Sequence, residues 1–561
     1  MPLSSPNTSP ASEAAPPAVT SGFAPLRIPL FRDRWIASTI SSVGTWMQDT
    51  AGTWLMTVLT ASPLLIALMQ TAASLPVLLL GLLAGATADI FDRRKLLIFW
   101  QTWMLVAVGL LTVFTFFGKI SPWALLAFTF LLNAGSAMNN PAWQAIVPEL
   151  VPRELIPDTV SLNAASNNLA RAVGPALGGI MVAAFADVHR GAGSVFALNS
   201  LSFAGVIWVL VNWKRTPLFK SALPTERISG SIRGGLRYVA HSPTLQSSLI
   251  RAFTYCFFVS AIWSLLAVVA KRDLRQGALG YGILNGSLGI GAVIAATQLP
   301  RVRRRFSADQ ILLTATLYQS FTLFILAFVH IPWIIIPVLI VSGSAWTSTM
   351  SSINTSVQLA VPAWITARAL GTYLMVFQGG MALGAVLWGV LAEHFNTPIA
   401  LAAAAAGLLL TLPFVHRFRI LQGPTLDFSP YQYRRPAPQL VGVGDGADPD
   451  PAEGPVRVSV EYRIPLDCYA DFTHAIHELK GVRLRDGAIR WGIYRDADDP
   501  THINETFVME SWLDYLRVRE RLTAADAAIR DRVYALHHQL DADGQPTLPR
   551  VSHQIYVREL S

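Results

Sequence analysis

The chain has 561 residues, of which 52% are hydrophobic and only 14% charged, with a mean hydropathy of +0.43; a soluble protein carries charge on roughly a quarter of its residues. That composition excludes a wholly soluble protein, and the apolar runs are too long and too closely spaced for soluble helices. The net charge of +8 is no nucleic-acid signature, because the basic residues sit in loops between apolar runs, and two cysteines, Cys256 and Cys468, offer neither a disulfide framework nor a metal cluster.

Residues 1–22 are rich in Pro, Ser and Ala, without the basic start and apolar core of a cleavable signal peptide, and are expected to form a disordered tail. A membrane-crossing helix needs about 20 largely apolar residues. Segments of that kind fall at 35–59, 64–86, 96–116, 122–143, 166–187, 194–212, 249–270, 279–299, 310–329, 332–355, 370–391 and 397–416. The predicted fold is therefore an all-α polytopic membrane protein with twelve transmembrane helices. A basic loop at 213–248 divides them into a first six-helix half, 23–212, and a second, 249–420. Gly135 opens a GSAMNN segment echoed by GSAWTS at Gly343, and GLLAGATADIFDRRK at Gly81 by GAVIAATQLPRVRRR at Gly291; offsets near 210 residues point to a duplicated unit.

Orientation follows from lysine and arginine. With the N-terminus inside, the inner side collects Arg27, Arg32, Arg34, Arg93, Arg94, Lys95, Arg153, Arg171, six basic residues from Lys214 to Arg237, Arg251, Arg301, Arg303, Arg304, Arg305, Arg368, Arg417 and Arg419. The outer side receives Lys119, Arg190, Lys271, Arg272 and Arg275. Both termini are then cytoplasmic, in a multi-pass protein of the plasma or inner membrane. The Lys271, Arg272 and Arg275 group breaks the pattern.

Within the spans, Asp49 stands out, because an ionised carboxylate at the bilayer centre costs about 2.5–3.5 kcal/mol on the mildest scale. It is the candidate for proton coupling or for the substrate pathway; the alternative is a carboxylate facing an aqueous cavity. Amides such as Gln70, Asn199, Asn285 and Gln378 serve equally as pathway lining or as contacts between helices. Glu393, near the outer end of the eleventh span, is expected to be solvated. In the loop after the second span, Gly85 allows close helix approach, Asp89 and Asp92 accept hydrogen bonds or arginine pairs, and Arg93 and Arg94 mark the inner interface. The fifth span carries RAVGPALGG, in which Arg171 precedes Gly174, Pro175, Gly178 and Gly179; small residues four apart admit a neighbouring backbone, and Pro175 removes an amide donor.

These words resemble the major facilitator superfamily. Gly85, Asp89, Arg93 and Arg94 match its signature loop, with Ile90 in place of a usual basic residue and Asp92 in place of a usual glycine; the resemblance implies a charge-relay latch between helices that stabilises the outward-facing state. The fifth-span motif resembles that of antiporters and exporters in the superfamily. VGTWMQDTAGTWLM and NNPAWQAIVPELVPRELIPDTVSLNAASNNLARAVGPALGG are similar to the branch of enterobactin exporters and macrolide-efflux proteins, over roughly residues 23–420.

Beyond a linker at 421–455, the tail 456–561 changes character. Residues 1–425 hold 27 Lys/Arg and 13 Asp/Glu, whereas 426–561 hold 16 and 22: a basic membrane body carries an acidic soluble unit. Strands at 456–464, 488–496, 503–512 and 553–560 with helices at 471–482 and 513–539 give the order β-α-β-β-α-β, hence a small C-terminal α+β ferredoxin-like domain. It resembles the dimeric α/β-barrel domains of antibiotic-biosynthesis monooxygenase relatives, which implies a homodimer through this domain. Trp491, Phe507, Trp512 and Tyr515 read as core or dimer-interface residues rather than a substrate cleft, and His474, His477, His537 and His538 as solvated or half-buried helix histidines. No cofactor or metal is expected.

Rocking halves around a central pathway form a transporter. With no phosphate-binding loop, the expected activity is secondary active export of an amphipathic small molecule (a siderophore, macrolide or drug-like compound), by proton antiport, with protons and membrane lipid as partners, no nucleic acid, and no enzymatic turnover. The alternatives are a membrane-anchored enzyme or a ligand sensor acting through the C-terminal domain.

Overall fold

A computed structural model describes residues 23–213, 235, 237–362, 364–420, 427–429, 431, 453–539 and 547–556. The expected N-terminal tail lies outside the described residues, as do most of the central loop and most of the linker.

Twelve long helices form the body: α1 (Pro29–Leu59), α2 (Pro63–Ile90), α3 (Arg93–Phe116), α4 (Pro122–Ala145), α5 (Ile156–Ala183), α6 (Val188–Asn212), α7 (Pro243–Val268), α8 (Ala278–Arg303), α9 (Ala308–Phe328), α10 (Pro332–Leu359), α11 (Thr366–His394) and α12 (Thr397–Leu410). Many start at a proline in the first turn, where its missing N–H costs nothing, behind caps such as Ser62, Ser121 and Asn396. Among the described residues nine helices are long and apolar enough to cross a membrane by length and composition alone; α1, α4 and α5 are not among them. These three carry polar side chains inward, and the largest displacement from expectation is α5, which begins ten residues before the apolar run, in the polar stretch around Asn163 and Asn167. That shift moves Arg171 from the loop side, where charge counting put it, to the middle of a helix.

The two halves pack by the same rules. In the first, α5 lies on α1, α4 on α2 and α6 on α3; in the second, α11 lies on α7, α10 on α8 and α12 on α9. Between halves, α5 runs along α8 and α2 along α11. Glycines set both crossings. A Cβ on Gly282 would stand 2.7 Å from the carbonyl oxygen of Pro175 and 3.0 Å from the Gly179 Cα, so the α5 and α8 backbones touch across the interface.

Apolar packing is asymmetric between the two faces. Toward the face bearing the 60–62, 274–277 and 395–396 connections, one cluster joins both halves, with Leu55, Met56 and Phe196 packed into the same core as Leu265, Val269 and Leu274. At the opposite, basic face each half has a core of its own: Phe31, Leu97, Ile146 and Leu210 in the first, Tyr238, Leu249, Ile353 and Tyr373 in the second. The halves are thus sealed together at the far face and packed separately at the basic one.

The tail folds as β1 (Val456–Arg463), α13 (Tyr469–Asp486), β2 (Arg490–Arg495), β3 (His502–Met509), α14 (Trp512–Arg521), α15 (Ala524–Ala535) and β4 (Arg550–Ile555), in an antiparallel sheet ordered β2-β3-β1-β4, the ferredoxin-like arrangement. The single helix expected at 513–539 is two. Leu522 is extended, and Thr523 restarts the helix as an N-cap that accepts from the Asp526 amide. Val458, Tyr462, Phe472 and Phe507 form the core together with Trp512, into which Glu505 is wholly buried yet satisfied by Arg483 at 3.1 Å, Trp491 Nε1 at 3.0 Å and the Tyr462 hydroxyl at 3.0 Å.

The tail rests on the second half. Arg237 donates to the Gly487 carbonyl at 2.5 Å and pairs with Glu510 at 3.1 Å. Arg485 covers the Tyr238 ring at 5.3 Å and Arg521 the Trp364 ring at 4.4 Å. Arg485 also holds Asp486 at 3.0 Å and Asp526 at 2.7 Å. Burial pushes the Asp486 carboxyl up to about 6, against the pull of Arg485. The folded domain then holds this proton more tightly than the unfolded chain, so the contribution is complete below pH ~4 and is lost as pH rises through about 6, on the order of 2–3 kcal/mol. Asp486→Asn is expected to flatten that slope, read by hydrogen exchange in β1 of the full-length chain, corrected for intrinsic rates; an unchanged slope would refute the assignment.

Candidate functional site: the cavity between the halves

At mid-depth the halves enclose a cavity of about 230 Å³. Its first-half wall carries both charged residues that line it, Asp49 on α1 and Arg171 on α5; the second-half wall is aromatic, with Trp263, Tyr281, Trp346 and Phe377 beside Asn285 and Gln378. Helical spacing explains the first wall. Trp46, Asp49 and Thr53 lie three and four residues apart and so share one side of α1. Gln48 turns to α6, where Asn199 Nδ2 donates to its Oε1 at 2.6 Å; Asn199 is fully buried and serves as a contact between helices. Gln70, Asn285 and Gln378 face the cavity, and Asn285 also donates to Thr50 Oγ1 at 3.3 Å.

The Asp49 side chain is open to the cavity. Arg171 lays its guanidinium over the Trp46 ring at 5.2 Å, which keeps a mid-membrane cation against a π-face. The pair leaves the lining electrically neutral when Asp49 is ionised and positive when it is protonated, and in a low dielectric such a change acts strongly on a bound ligand. On the facing wall Trp263 and Trp346 are in ring contact at 4.4 Å, and Phe377 stands 5.9 Å from Trp346, an apolar surface for flat or greasy groups. Sequence reasoning missed this wall, since its residues come from α7, α8, α10 and α11 and no local spacing links them.

The fifth-helix motif divides: Arg171 lines the cavity, whereas its glycines and Pro175 lie at the seams. A Cβ on Gly174 would meet Trp46 Cβ at 2.5 Å, and one on Gly178 the Met47 carbonyl at 2.7 Å, so these two seat α5 on α1; Gly179 and Pro175 face α8. The signature loop lies at the basic face. Asp92 caps α3 by accepting from the Lys95 amide at 3.1 Å, and Arg94 donates to the Leu210 and Val211 carbonyls at the end of α6, at 2.8 and 2.5 Å. Around Gly85 a Cβ would meet nothing within 4 Å. Arg93 follows Asp92 at the start of α3, and the Asp89 side chain lies outside the described residues. In this arrangement, then, the helix approach that Gly85 permits is not made. Arg251, read from sequence as a topology charge, pairs with Asp309 at 2.7 Å inside the second half.

Residues 20–559 match the family described as transmembrane secretion effector. The chain belongs to this family of the major facilitator superfamily. Relatives of the chain include the uncharacterized MFS-type transporter YfiS of Bacillus subtilis, 29% identical over 68% of this chain and 93% of YfiS, and the enterobactin exporter EntS of Shigella boydii, 25% identical over 71% and 94%. Among solved structures, the nucleoside transporter NupG shares the fold, with TM-score 0.55 at 12% identity over 69% of this chain and 98% of NupG. The protein is a multi-pass membrane transporter.

Proposed function

We propose that this transporter exports an amphipathic small molecule from the cytoplasm by alternating access, driven by proton entry. The observation that carries the reading is the central cavity with an open Asp49, sealed from one face and flanked by separate cores at the other. With the basic face cytoplasmic, as lysine and arginine placement favours, this is the inward-facing arrangement, in which a ligand enters from the basic face between the two separately packed cores and lies with its polar head toward Asp49 and Arg171 and its apolar body on the Trp263 and Trp346 wall. A proton arriving from outside neutralises Asp49 and leaves the Arg171 charge uncompensated in the lining, so proton and ligand compete for one electrostatic environment. The kinship with an enterobactin exporter supports the outward direction. Glycines at the fifth-helix seam give the halves the close, smooth contact that rocking requires.

Purified protein in vesicles with an imposed pH gradient tests the reading, with a panel of catecholate siderophores, macrolides and lipophilic dyes. At least one compound should move severalfold faster with the gradient than without it. No gradient-dependent flux for any of them would overturn the antiport.

A further inference from the structure

The segment that follows α7 gathers unusual features at the far face. The helix widens into a π-turn over Val269–Asp273, closed by Leu274 N–H to Val269 O at 3.0 Å, and Arg275 has φ +51°, the only non-glycine residue with positive φ among the described residues. π-turns and strained backbone are retained where a side chain must be aimed. Here Lys271 and Arg272 are aimed at the first half: the Lys271 ammonium donates to the Thr57 carbonyl and the Arg272 guanidinium to the Ala61 carbonyl. Across the same connection, Glu393 at the end of α11 accepts from the Ser62 hydroxyl at 2.8 Å and from the Leu64 amide at 3.3 Å.

The chemistry of the acceptors is telling. Thr57 lies in the last turn of α1, where carbonyls lack helical donors and the dipole is negative; Leu64 lies in the first turn of α2, where amides lack acceptors and the dipole is positive. One cation of the second half, Lys271, therefore caps the end of α1, a second, Arg272, holds the connection at Ala61, and one anion, Glu393, caps the start of α2. The α1–α2 hairpin is thus held at both helix ends by charges opposite in sign to the dipole ends they meet. This also accounts for two members of the basic cluster that contradicted the loop-charge pattern: Lys271 and Arg272 are occupied at the interface between halves and are not topology signals.

We propose that Lys271, Arg272 and Glu393 form an outer clasp that holds the far face shut and must release before the cavity can open there. They are positioning residues, since none lines the cavity. Because the partners of Lys271 and Arg272 are main-chain groups, the side chain at 61 is immaterial to the clasp.

The test needs no ligand and is independent of the proposed cargo. Spin labels at Lys119→Cys and Ile331→Cys, in a chain whose two native cysteines are replaced by alanine, report the separation of the halves at the far face. Lys271→Ala with Arg272→Ala is expected to raise the population of the long-distance state about tenfold, while Lys271→Arg, Arg272→Lys and Ala61→Ser keep the short-distance distribution. Should the double variant fail to reach the membrane, Glu393→Ala is read in the same way. An unchanged distance distribution in the alanine variant that folds would overturn the clasp.

Discussion

Asp49→Asn is expected to reduce gradient-driven flux to the rate seen without a gradient, a loss of tenfold or more, and to fix ligand affinity at the value of the protonated protein, so that binding no longer changes with pH. The asparagine keeps the shape and hydrogen-bonding reach of the side chain but cannot take up or release a proton, so the lining stays positive through Arg171 in every state. Gradient and cargo are then no longer linked through one site. Asp49→Glu retains a titrating group and should keep at least part of the gradient dependence. Flux measured in vesicles with and without a pH gradient, beside direct binding of the same compound, separates the two effects. If the asparagine variant still responds to the gradient, proton coupling lies elsewhere.

Gly282→Val is expected to abolish transport and to weaken closure of the far face. Its new Cβ would lie 2.7 Å from the Pro175 carbonyl oxygen and 3.0 Å from the Gly179 Cα; both are backbone atoms, so no flexible side chain can move aside. Overpacking of this kind typically costs about 1–3 kcal/mol or more, and here the strain falls on the contact between halves. The label pair at positions 119 and 331 should shift to longer distances even where the protein still inserts and purifies as a monodisperse species. Gly282→Ala should show the same trend at smaller amplitude. A valine variant with ordinary flux and an unshifted distribution would mean that the α5–α8 backbone contact is dispensable.

What the sequence made legible followed from local physics. Apolar runs located eleven of the twelve helices within a few residues at one or both ends, and the first three tail strands lie where expected, whereas the fourth starts at Arg550, three residues before the expected 553. The start of α5 was hidden because Asp158, Thr159, Ser161 and Asn163 interrupt the apolar residues of its first ten positions: hydropathy reads lipid exposure, and this stretch is too polar to register as a span. The break between α14 and α15 was signalled by the Thr523-to-Asp526 spacing, a capping pattern that the long amphipathic run obscured. Asp49 could be singled out because charge within a span is expensive, whereas Trp263 and Trp346 could not, since tryptophan in an apolar helix carries no such penalty. The clasp was least legible of all. Its acceptors are carbonyl and amide groups, which every residue possesses, so only the assembled helix ends reveal which ones need a partner.

Among the described residues, anchoring of the tail at Arg237, Tyr238 and Trp364 ties a water-soluble mass to one of the two halves that the proposed cycle would rock. Displacement grows with distance from a pivot, so a slight rotation of the second half becomes a wider sweep of the tail beyond the basic face. The chain carries its own pointer. A fluorescent donor on the tail and an acceptor on the loop before α5 would turn each cycle into an optical signal, with every membrane helix left in its native sequence.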